Sequence, residues 1–346
     1  RCFQQFLLGM QNPHTFSKEI LHFYFEASSG DMSGVSPEVK QTSKPVLLLW
    51  FWPENKRFHL QSCKKFFHID DCILTDDKTL ESKAQGVLVF HRAISEDLSN
   101  LPTSRTRFQR WIWFNTDSPT NTQRIPGLQG LFNLTMTHRK DADIQIRWHV
   151  TARKSMDKEF VLPTKERLLC WIVDDKRMNK KSGDSYTYFV TLSKHIKVDI
   201  YDRTSDDVKG KKYFSVISGC KFYLSFENSI HRDYITETFT GPLAAGTVPI
   251  ALGPPRRNYE NFAPGSSFIH VNDFSDAEAL AQFLLRLDKD NEAYMRYFDW
   301  WKFYNLRQQF SEEKHEFVHA ICQACRYLGL RKEYRYVPDL YKWFLE

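Results

Sequence analysis

Short apolar runs recur along the chain between segments that are polar or rich in glycine and proline. The runs are rich in β-branched and aromatic residues, and their apolar character is continuous rather than alternating. Continuous apolarity over a few residues is typical of strands that are buried on both faces of a sheet. The predicted strands lie in Val46–Trp52, Gly86–His91, Trp111–Asn115, Leu168–Val173, Val198–Tyr201, Lys221–Phe226, Val248–Leu252 and Phe268–Val271.

Helical patterns lie between several of these runs, and the clearest begins at Ser275. Ser275 and Glu278 predict a capping box at its start. One apolar helical face follows, formed by Ala277, Leu280, Ala281, Leu284 and Leu285. Strands that alternate with helices indicate an α/β protein with parallel sheets. A break near Pro163 predicts two doubly wound domains that face a cleft, with a ligand beyond the carboxyl ends of the strands.

Composition adds limits to this picture. The 346 residues suit two domains of ordinary size, and 15% of the residues are aromatic. The net charge of +6 is spread along the chain, which indicates a solvated basic surface or a groove for an anionic ligand such as a nucleotide. No nucleic-acid-binding signature is present, and neither a P-loop nor a G-x-G-x-x-G motif occurs. No run reaches the roughly 18 apolar residues that a membrane span requires.

The seven cysteines leave three possibilities open. Six could form disulfides in a secretory compartment, with Cys2 left over. Cys63, Cys72, Cys322 and Cys325 could instead bind zinc, or all seven could be free in a cytosolic protein. The sequon Asn133-Leu134-Thr135 favours the secretory route. A metal–nucleotide role of the acidic triplet Asp141-Ala142-Asp143 is a further, weaker possibility.

One segment carries a specific resemblance. Residues 220–264 contain FYLSFENS, then DYITE, then AAGTVPIALGP followed by NYE. This order and spacing resemble the donor-binding segment of the α-1,3-fucosyltransferases, glycosyltransferase family 10, and most closely the vertebrate members that build the Lewis x epitope. The resemblance extends from about Pro45 to the C-terminus through WFWP, WIWFNTDSP, LFNLTMTHRKDADIQ, SFIHVNDF and YFDW.

The resemblance implies the GT-B fold and an inverting transfer of fucose from GDP-fucose, with no cofactor and no metal. The acceptor would be the GlcNAc of N-acetyllactosamine on glycoproteins or glycolipids, and nucleic acid would not be a partner. A lumenal Golgi domain of a type II membrane protein is implied, with its anchor upstream of residue 1. The domain prediction is a stem at 1–44, an acceptor domain at 45–163, a GDP-fucose domain at 164–320 and a returning tail at 321–346.

The family's disulfides and glycan can be transferred to matching positions. They would be Cys63–Cys322, Cys72–Cys325 and Cys170–Cys220, so that the Cys322-x-x-Cys325 pair needs no zinc. By the same analogy Asn133 would carry a glycan.

The family's catalytic base is a glutamate, and Asp117 stands at its position. A base must take the proton from the attacking hydroxyl, and aspartate is one methylene shorter. On the donor side Tyr223 and Asn228 would line the fucose pocket, and Tyr234 matches the family. Glu237 would hold donor hydroxyls from the first turn of a helix.

Other donor positions depart from the family pattern. Thr238 replaces a lysine on the diphosphate, and Asp174 and Asp175 replace Ser-Asn. Trp148 replaces a tyrosine, and Pro242 lies where the family continues a helix, so a kink there could displace Glu237 and Thr238. These changes favour, as an alternative to an active enzyme, a catalytically impaired relative that binds a glycan or partner, or a relic gene product.

The acceptor contacts are less defined by the sequence. The turn Glu54-Asn55-Lys56 follows the first predicted strand, and Lys56 is the acceptor-binding candidate. An ordinary polar turn is the competing interpretation.

Overall fold

The computed structural model describes residues 44–146, 150–152, 161–173, 184–208, 211–306 and 317–345. These residues belong to one compact unit, Lys44–Glu346. The predicted stem lies outside the described residues except for Lys44, and so do Trp148, Asp174 and Asp175.

The first sheet has six parallel strands in the order β2-β1-β3-β4-β5-β6. Adjacent residues of β1 pack on opposite faces, since Leu47 and Leu49 join one core cluster and Leu48 joins another. Both faces are therefore buried, which explains the continuous apolar runs. The strands are β1 Val46–Leu49, β2 Ile73–Thr75, β3 Gly86–Phe90, β4 Arg110–Phe114, β5 Leu134–Thr137 and β6 Ile144–Gln145.

The second sheet has five parallel strands in the order β12-β11-β10-β8-β9. Two further strands, β7 Val150–Ala152 and β13 Tyr304–Leu306, form a small antiparallel pair. Each predicted apolar run overlaps a strand, so the α/β prediction of parallel sheets is confirmed. The strands of the second sheet are β8 Arg167–Val173, β9 Asp199–Asp202, β10 Cys220–Phe226, β11 Val248–Leu252 and β12 Ile269–His270.

Helices cover both sheets. They are α1 Ser62–Phe67, α2 Asp184–Leu192, α3 Lys211–Ser218, α4 Glu237–Ala245, α5 Arg256–Tyr259, α6 Ala277–Lys289, α7 Asn291–Met295, α8 Val318–Leu330 and α9 Leu340–Leu345. Short 3₁₀ turns occupy Pro53–Asn55, Lys78–Lys83, His91–Ala93, Pro119–Asn121, Gly265–Ser267, Val271–Asp273 and Arg296–Lys302. None of the helices among the described residues combines the length and the apolar composition that a membrane span requires.

One helix prediction needs correction. The cap of α6 is Asp276, whose carboxylate accepts from the Ala279 amide at 2.7 Å, so the predicted Ser275–Glu278 capping box is wrong. The one-residue difference is within the usual ambiguity of helix ends. Helix α4 contains Pro242 and continues to Ala245, and the predicted kink at the proline stays a prediction.

The C-terminal segment returns to the first sheet and covers both of its faces. Helix α8 packs in the cluster that contains Leu47, whereas α9 packs in the cluster that contains Leu48. Disulfides Cys63–Cys322 and Cys72–Cys325 hold α8 in place, with Cα–Cα distances of 5.2 and 5.3 Å.

A third disulfide, Cys170–Cys220, joins the neighbouring strands β8 and β10. The three pairs are those that the resemblance implies. They consume all four cysteines of the alternative zinc site, which is therefore excluded.

Candidate active site

A cavity of about 250 Å³ lies where the carboxyl ends of strands from both sheets meet. Its walls come from the segments after β1, β3, β4, β5 and β10, and from the start of α8. Ligands of open α/β sheets bind at such an edge. The lining residues are Glu54, Arg92, Thr116, Asp117, His138, Gln145, Ile146, Asn228, Tyr234, Ile235, Thr236, Glu237, Phe317, His319 and Ala320.

Asp117 enters this cavity from the segment after β4. Arg92 binds its carboxylate through two nitrogens: Nε donates to Oδ2 at 3.1 Å, and Nη2 donates to Oδ1. The Asp117 amide donates to Asn115 Oδ1 at 3.1 Å, which fixes the turn. The side chain is 17% exposed, so a ligand in the cavity can reach it.

Arg92 also donates to Glu54 Oε1 at 2.9 Å, so one guanidinium serves two carboxylates. Its hydrogen bond to Asp117 outweighs the opposing effect of burial and raises the pKa of Arg92. Burial raises the pKa of Glu54, but hydrogen bonds and attraction from Lys56 and Arg92 bring that pKa below its ordinary value. Both groups are therefore charged near neutral pH.

Lys56 contacts Glu54, one of the two carboxylates that Arg92 binds. Its ammonium pairs with Glu54 at 2.7 Å, and Glu54, not Lys56, lines the cavity. Lys56, the predicted acceptor contact, therefore binds a residue of the cavity wall without lining the cavity itself. Glu54 belongs to the turn that the sequence selected, whereas sequence reasoning missed Arg92, which directly follows the apolar run that became β3.

On the opposite wall Asn228, Tyr234 and Glu237 come together. Asn228 follows β10 and is hydrogen-bonded to the Tyr234 hydroxyl, whose pKa is raised by burial and by the nearby charge of Glu227. Glu237 is the first residue of α4. The structure therefore brings three of the predicted donor residues to the same cavity as Asp117.

Glu227, which sequence reasoning missed, anchors this wall. Its carboxylate is buried and accepts from both the amide and the hydroxyl of Thr236, each at 2.9 Å. Thr236 in turn caps α4 by accepting from the Thr238 amide at 3.2 Å. The FENS segment after β10 is thus connected directly to the start of the helix.

Tyr223 is not among the residues that line this cavity, although the resemblance places it in the fucose pocket. It lies inside the second sheet, 1% exposed, and its hydroxyl donates to the Ile172 carbonyl at 3.4 Å. Burial raises its pKa. Residues of a buried strand alternate between two covered faces, and Tyr223 points to the face with Cys170 and Val208. Thr238 likewise lies next to the cavity rather than in its wall.

Arg203 is a cation that sequence reasoning did not select. It follows β9, and its Nη2 donates to Glu237 Oε1 at 2.8 Å. Attraction to Glu237 overcomes the effect of burial and raises the pKa of Arg203. Its position after a predicted strand was the available signal. The guanidinium therefore lies beside the N-terminus of α4, where it binds Glu237, the residue before Thr238.

The two acids of the triplet Asp141-Ala142-Asp143 bind other residues of the chain. Asp141 pairs with Arg139 at 2.9 Å, and Asp143 accepts from the Thr135 amide at 2.8 Å while it pairs with Arg335. Among the described residues no group of three histidines, cysteines or acids is arranged to hold a metal ion.

Asn133, the predicted glycosylation site, is a buried residue. Its side chain is 1% exposed, and Nδ2 donates to the Arg335 carbonyl at 2.6 Å. Its Oδ1 accepts from the Trp111 amide at 2.8 Å. The atom that would carry the sugar is thus buried and hydrogen-bonded in this structure, and glycosylation at Asn133 stays a prediction.

Two parallel sheets with a cavity at their facing carboxyl edges define a GT-B fold. A crystal structure of an α1,3-fucosyltransferase with GDP superposes with a TM-score of 0.50, at 12% identity, over 86% of this chain and 94% of that one. Residues 42–149 match the family model "Fucosyltransferase, N-terminal", and residues 162–343 match "Glycosyltransferase family 10 (fucosyltransferase) C-term". The chain belongs to glycosyltransferase family 10.

The curated relatives carry a more specific name. "4-Galactosyl-N-acetylglucosaminide 3-alpha-L-fucosyltransferase 9" of Rattus norvegicus is 42% identical over 304 residues, which cover 87% of this chain and 82% of the relative. The Homo sapiens protein of the same name gives the same values. A Pan troglodytes relative, "4-galactosyl-N-acetylglucosaminide 3-alpha-L-fucosyltransferase FUT6", is 38% identical over 310 residues, 87% of this chain and 83% of its own length.

Proposed function

We propose that this protein transfers L-fucose from GDP-fucose to the 3-hydroxyl of GlcNAc in N-acetyllactosamine glycans, with inversion and without a metal. The observation that carries the proposal is the shared cavity. Asp117 approaches it from the first sheet, and Asn228, Tyr234 and Glu237 approach it from the second. The names of the relatives support the acceptor and the linkage.

Asp117 acts as the base in this proposal. An inverting transfer is a single displacement: the acceptor oxygen attacks the anomeric carbon, GDP leaves from the opposite side, and the hydroxyl proton passes to the carboxylate. Arg92 holds that carboxylate in one orientation through two nitrogens. Each carboxylate oxygen retains a further lone pair for the proton. Because aspartate is one methylene shorter than the family's glutamate, the proposal requires the acceptor to bind deeper in the cavity, within reach of the Asp117 carboxylate.

Negative charge grows on the diphosphate as it leaves. The N-terminus of α4 offers backbone N–H groups and a partial positive charge, and Thr238 adds a hydroxyl. Arg203 supplies a full positive charge at the same end of the helix, which Thr238 does not. Preorganised donors of this kind stabilise a leaving anion without a metal ion.

The compartment is part of the proposal. Disulfides form in oxidising compartments, and the described residues contain three of them. Together with the relatives, this supports a lumenal Golgi location under a type II anchor. We also propose the domain limits given above, with acceptor binding at 45–163 and donor binding at 164–320.

The test is an assay of protein from a secretory host with GDP-fucose and N-acetyllactosamine in the presence of a chelator. We expect a β-galactosyl-1,4-(α-1,3-fucosyl)-GlcNAc product, lost in Asp117→Ala and retained in the control Asp141→Asn. Asp141 belongs to the acidic triplet and lies outside the cavity, so the control removes a carboxylate that the reaction does not use. No transfer by a folded, disulfide-intact protein that also fails to bind GDP would contradict the proposal and favour the impaired relative.

A further inference from the structure

His138 is a buried polar side chain in the cavity wall that the reaction described above does not use. It follows β5 and is 6% exposed. Among the described residues neither ring nitrogen of His138 has a hydrogen-bond partner. An imidazole has one donor and one acceptor when neutral, and leaving both unpaired in a buried position is costly. Such a group in a cavity wall points to a ligand that supplies the partners.

The surroundings of His138 keep it neutral. Burial lowers the pKa of His138 to about 3, against a weaker raising effect of Asp233. Its ring packs edge to face on Tyr234 at 5.0 Å and on Phe344 at 5.5 Å. Tyr234 belongs to the donor wall, whereas β5 is the neighbour of β4, and Asp117 lies in the segment that follows β4. His138 therefore lies between the two walls.

Other buried histidines show the usual arrangement. His270 is fully buried, yet Nε2 is bonded to the Pro254 carbonyl at 3.0 Å and Nδ1 accepts from the Asn272 amide at 3.1 Å. His91 is also bonded at both nitrogens, to the Gln123 carbonyl and to the Trp113 indole. The chain thus satisfies buried imidazoles where they are structural, and His138 differs from these two.

We propose that His138 is a sugar-binding residue, whose neutral imidazole hydrogen-bonds a pyranose hydroxyl in the cavity. A sugar hydroxyl both donates and accepts, so it fits either tautomer. The hydroxyl belongs to the donor fucose or to the acceptor GlcNAc, which present the same chemistry here. This inference rests on the proposed function and adds a recognition residue to it.

The test compares His138→Phe and His138→Gln with wild type by calorimetry, using GDP, GDP-fucose, and N-acetyllactosamine in the presence of GDP. Phenylalanine keeps the ring packing and removes the nitrogens. We expect unchanged GDP affinity and about 3- to 10-fold weaker binding of one sugar, the loss expected for one hydrogen bond. Weaker binding of GDP-fucose would show that the fucose carries the hydroxyl that His138 binds. Weaker binding of N-acetyllactosamine would show that the GlcNAc carries it. Glutamine should restore part of the loss.

Stability separates binding from packing. In ligand-free protein we expect His138→Phe to raise Tm, because it removes unpaired polar atoms, and the control His270→Phe to lower Tm. Sugar binding by His138→Phe that equals wild type would overturn the inference alone. Wild-type protein that binds neither GDP nor either sugar would overturn the proposed function as well.

Discussion

Arg92 binds the carboxylate of Asp117 through two of its nitrogens and reaches Glu54 through the third. Glu54 follows β1, Arg92 follows β3 and Asp117 follows β4. These strands are neighbours in the sheet order β1-β3-β4. Parallel pairing brings their carboxyl ends to one edge, and the arginine neutralises the repulsion between the two acids. A candidate base is thus held by residues that are distant in sequence.

Asp117→Asn should lower kcat by about 10²- to 10⁴-fold, the usual contribution of a general base, and leave GDP affinity unchanged. The asparagine amide is nearly isosteric with the aspartate carboxylate, but it cannot take the proton from the attacking hydroxyl. Initial rates with saturating N-acetyllactosamine measure the effect. Asp117→Glu serves as the matched variant and should stay active, because it keeps the carboxylate. An Asp117→Asn protein as fast as wild type would exclude Asp117 as the base.

Arg203→Gln should weaken GDP binding by about 10-fold or more, since hydrogen bonds to charged groups contribute about 1.5–3 kcal/mol. The loss should shrink as salt is raised, because salt screens the charge. Titration calorimetry at two ionic strengths measures both effects. Thr238→Lys in the Arg203→Gln background should recover part of the affinity, because it returns a positive charge to the start of α4.

Arg296→Gln is the control for Arg203. Arg296 forms an equally short pair, 2.8 Å to Glu292, but on the surface of another helical segment. Its loss should leave GDP affinity unchanged. If Arg203→Gln and Arg296→Gln bind GDP equally well, Arg203 has no role in diphosphate binding.

Replacing Cys63 and Cys322 by serine should lower the free energy of unfolding by about 2–5 kcal/mol. This bond closes a separation of 259 residues and holds α8 against the first sheet. Urea unfolding of the double variant measures the change. Since Phe317, His319 and Ala320 line the cavity, N-acetyllactosamine binding should also weaken. A Cys170→Ser/Cys220→Ser protein is the comparison, and its acceptor binding should be less affected.

His138→Phe should change how stability depends on pH. The pKa of His138 is about 3 in the folded chain against 6.5 for an ordinary histidine, because burial disfavours the charged ring. Between these values the unfolded chain binds a proton that the folded chain does not, so wild type loses stability as pH falls from 6.5 towards 3. The variant lacks this loss.

The stability difference between His138→Phe and wild type should therefore grow as pH falls, by at most about 1.4 kcal/mol per pH unit, and be constant above pH 7. Urea unfolding at several pH values measures it. A difference that is constant from pH 7 to 4 would show that His138 is protonated as easily in the folded chain as in the unfolded one.

Much of the fold could be predicted because burial on two faces leaves a local trace. The run GVLVF became a fully buried strand almost without change of limits. Short or mixed strands left no such trace: Ile73–Thr75 lies at the sheet edge with partly exposed side chains, and Ile144–Gln145 has two residues. Their pairing with longer neighbours makes them strands, and a sequence pattern does not report pairing.

The sequence by itself determined the family, the alternation of strands and helices, and the segment that carries Asn228, Tyr234 and Glu237. These features depend on residue type and local spacing. Only the tertiary structure decided that Tyr223 faces the interior, that Arg203 stands at the start of α4, and that Arg92 holds Asp117. It also decided that His138 lines the cavity and that, among the described residues, neither of its ring nitrogens has a hydrogen-bond partner. Such relations arise where separate strands end at one sheet edge, and contacts between distant segments have no signature in either segment alone.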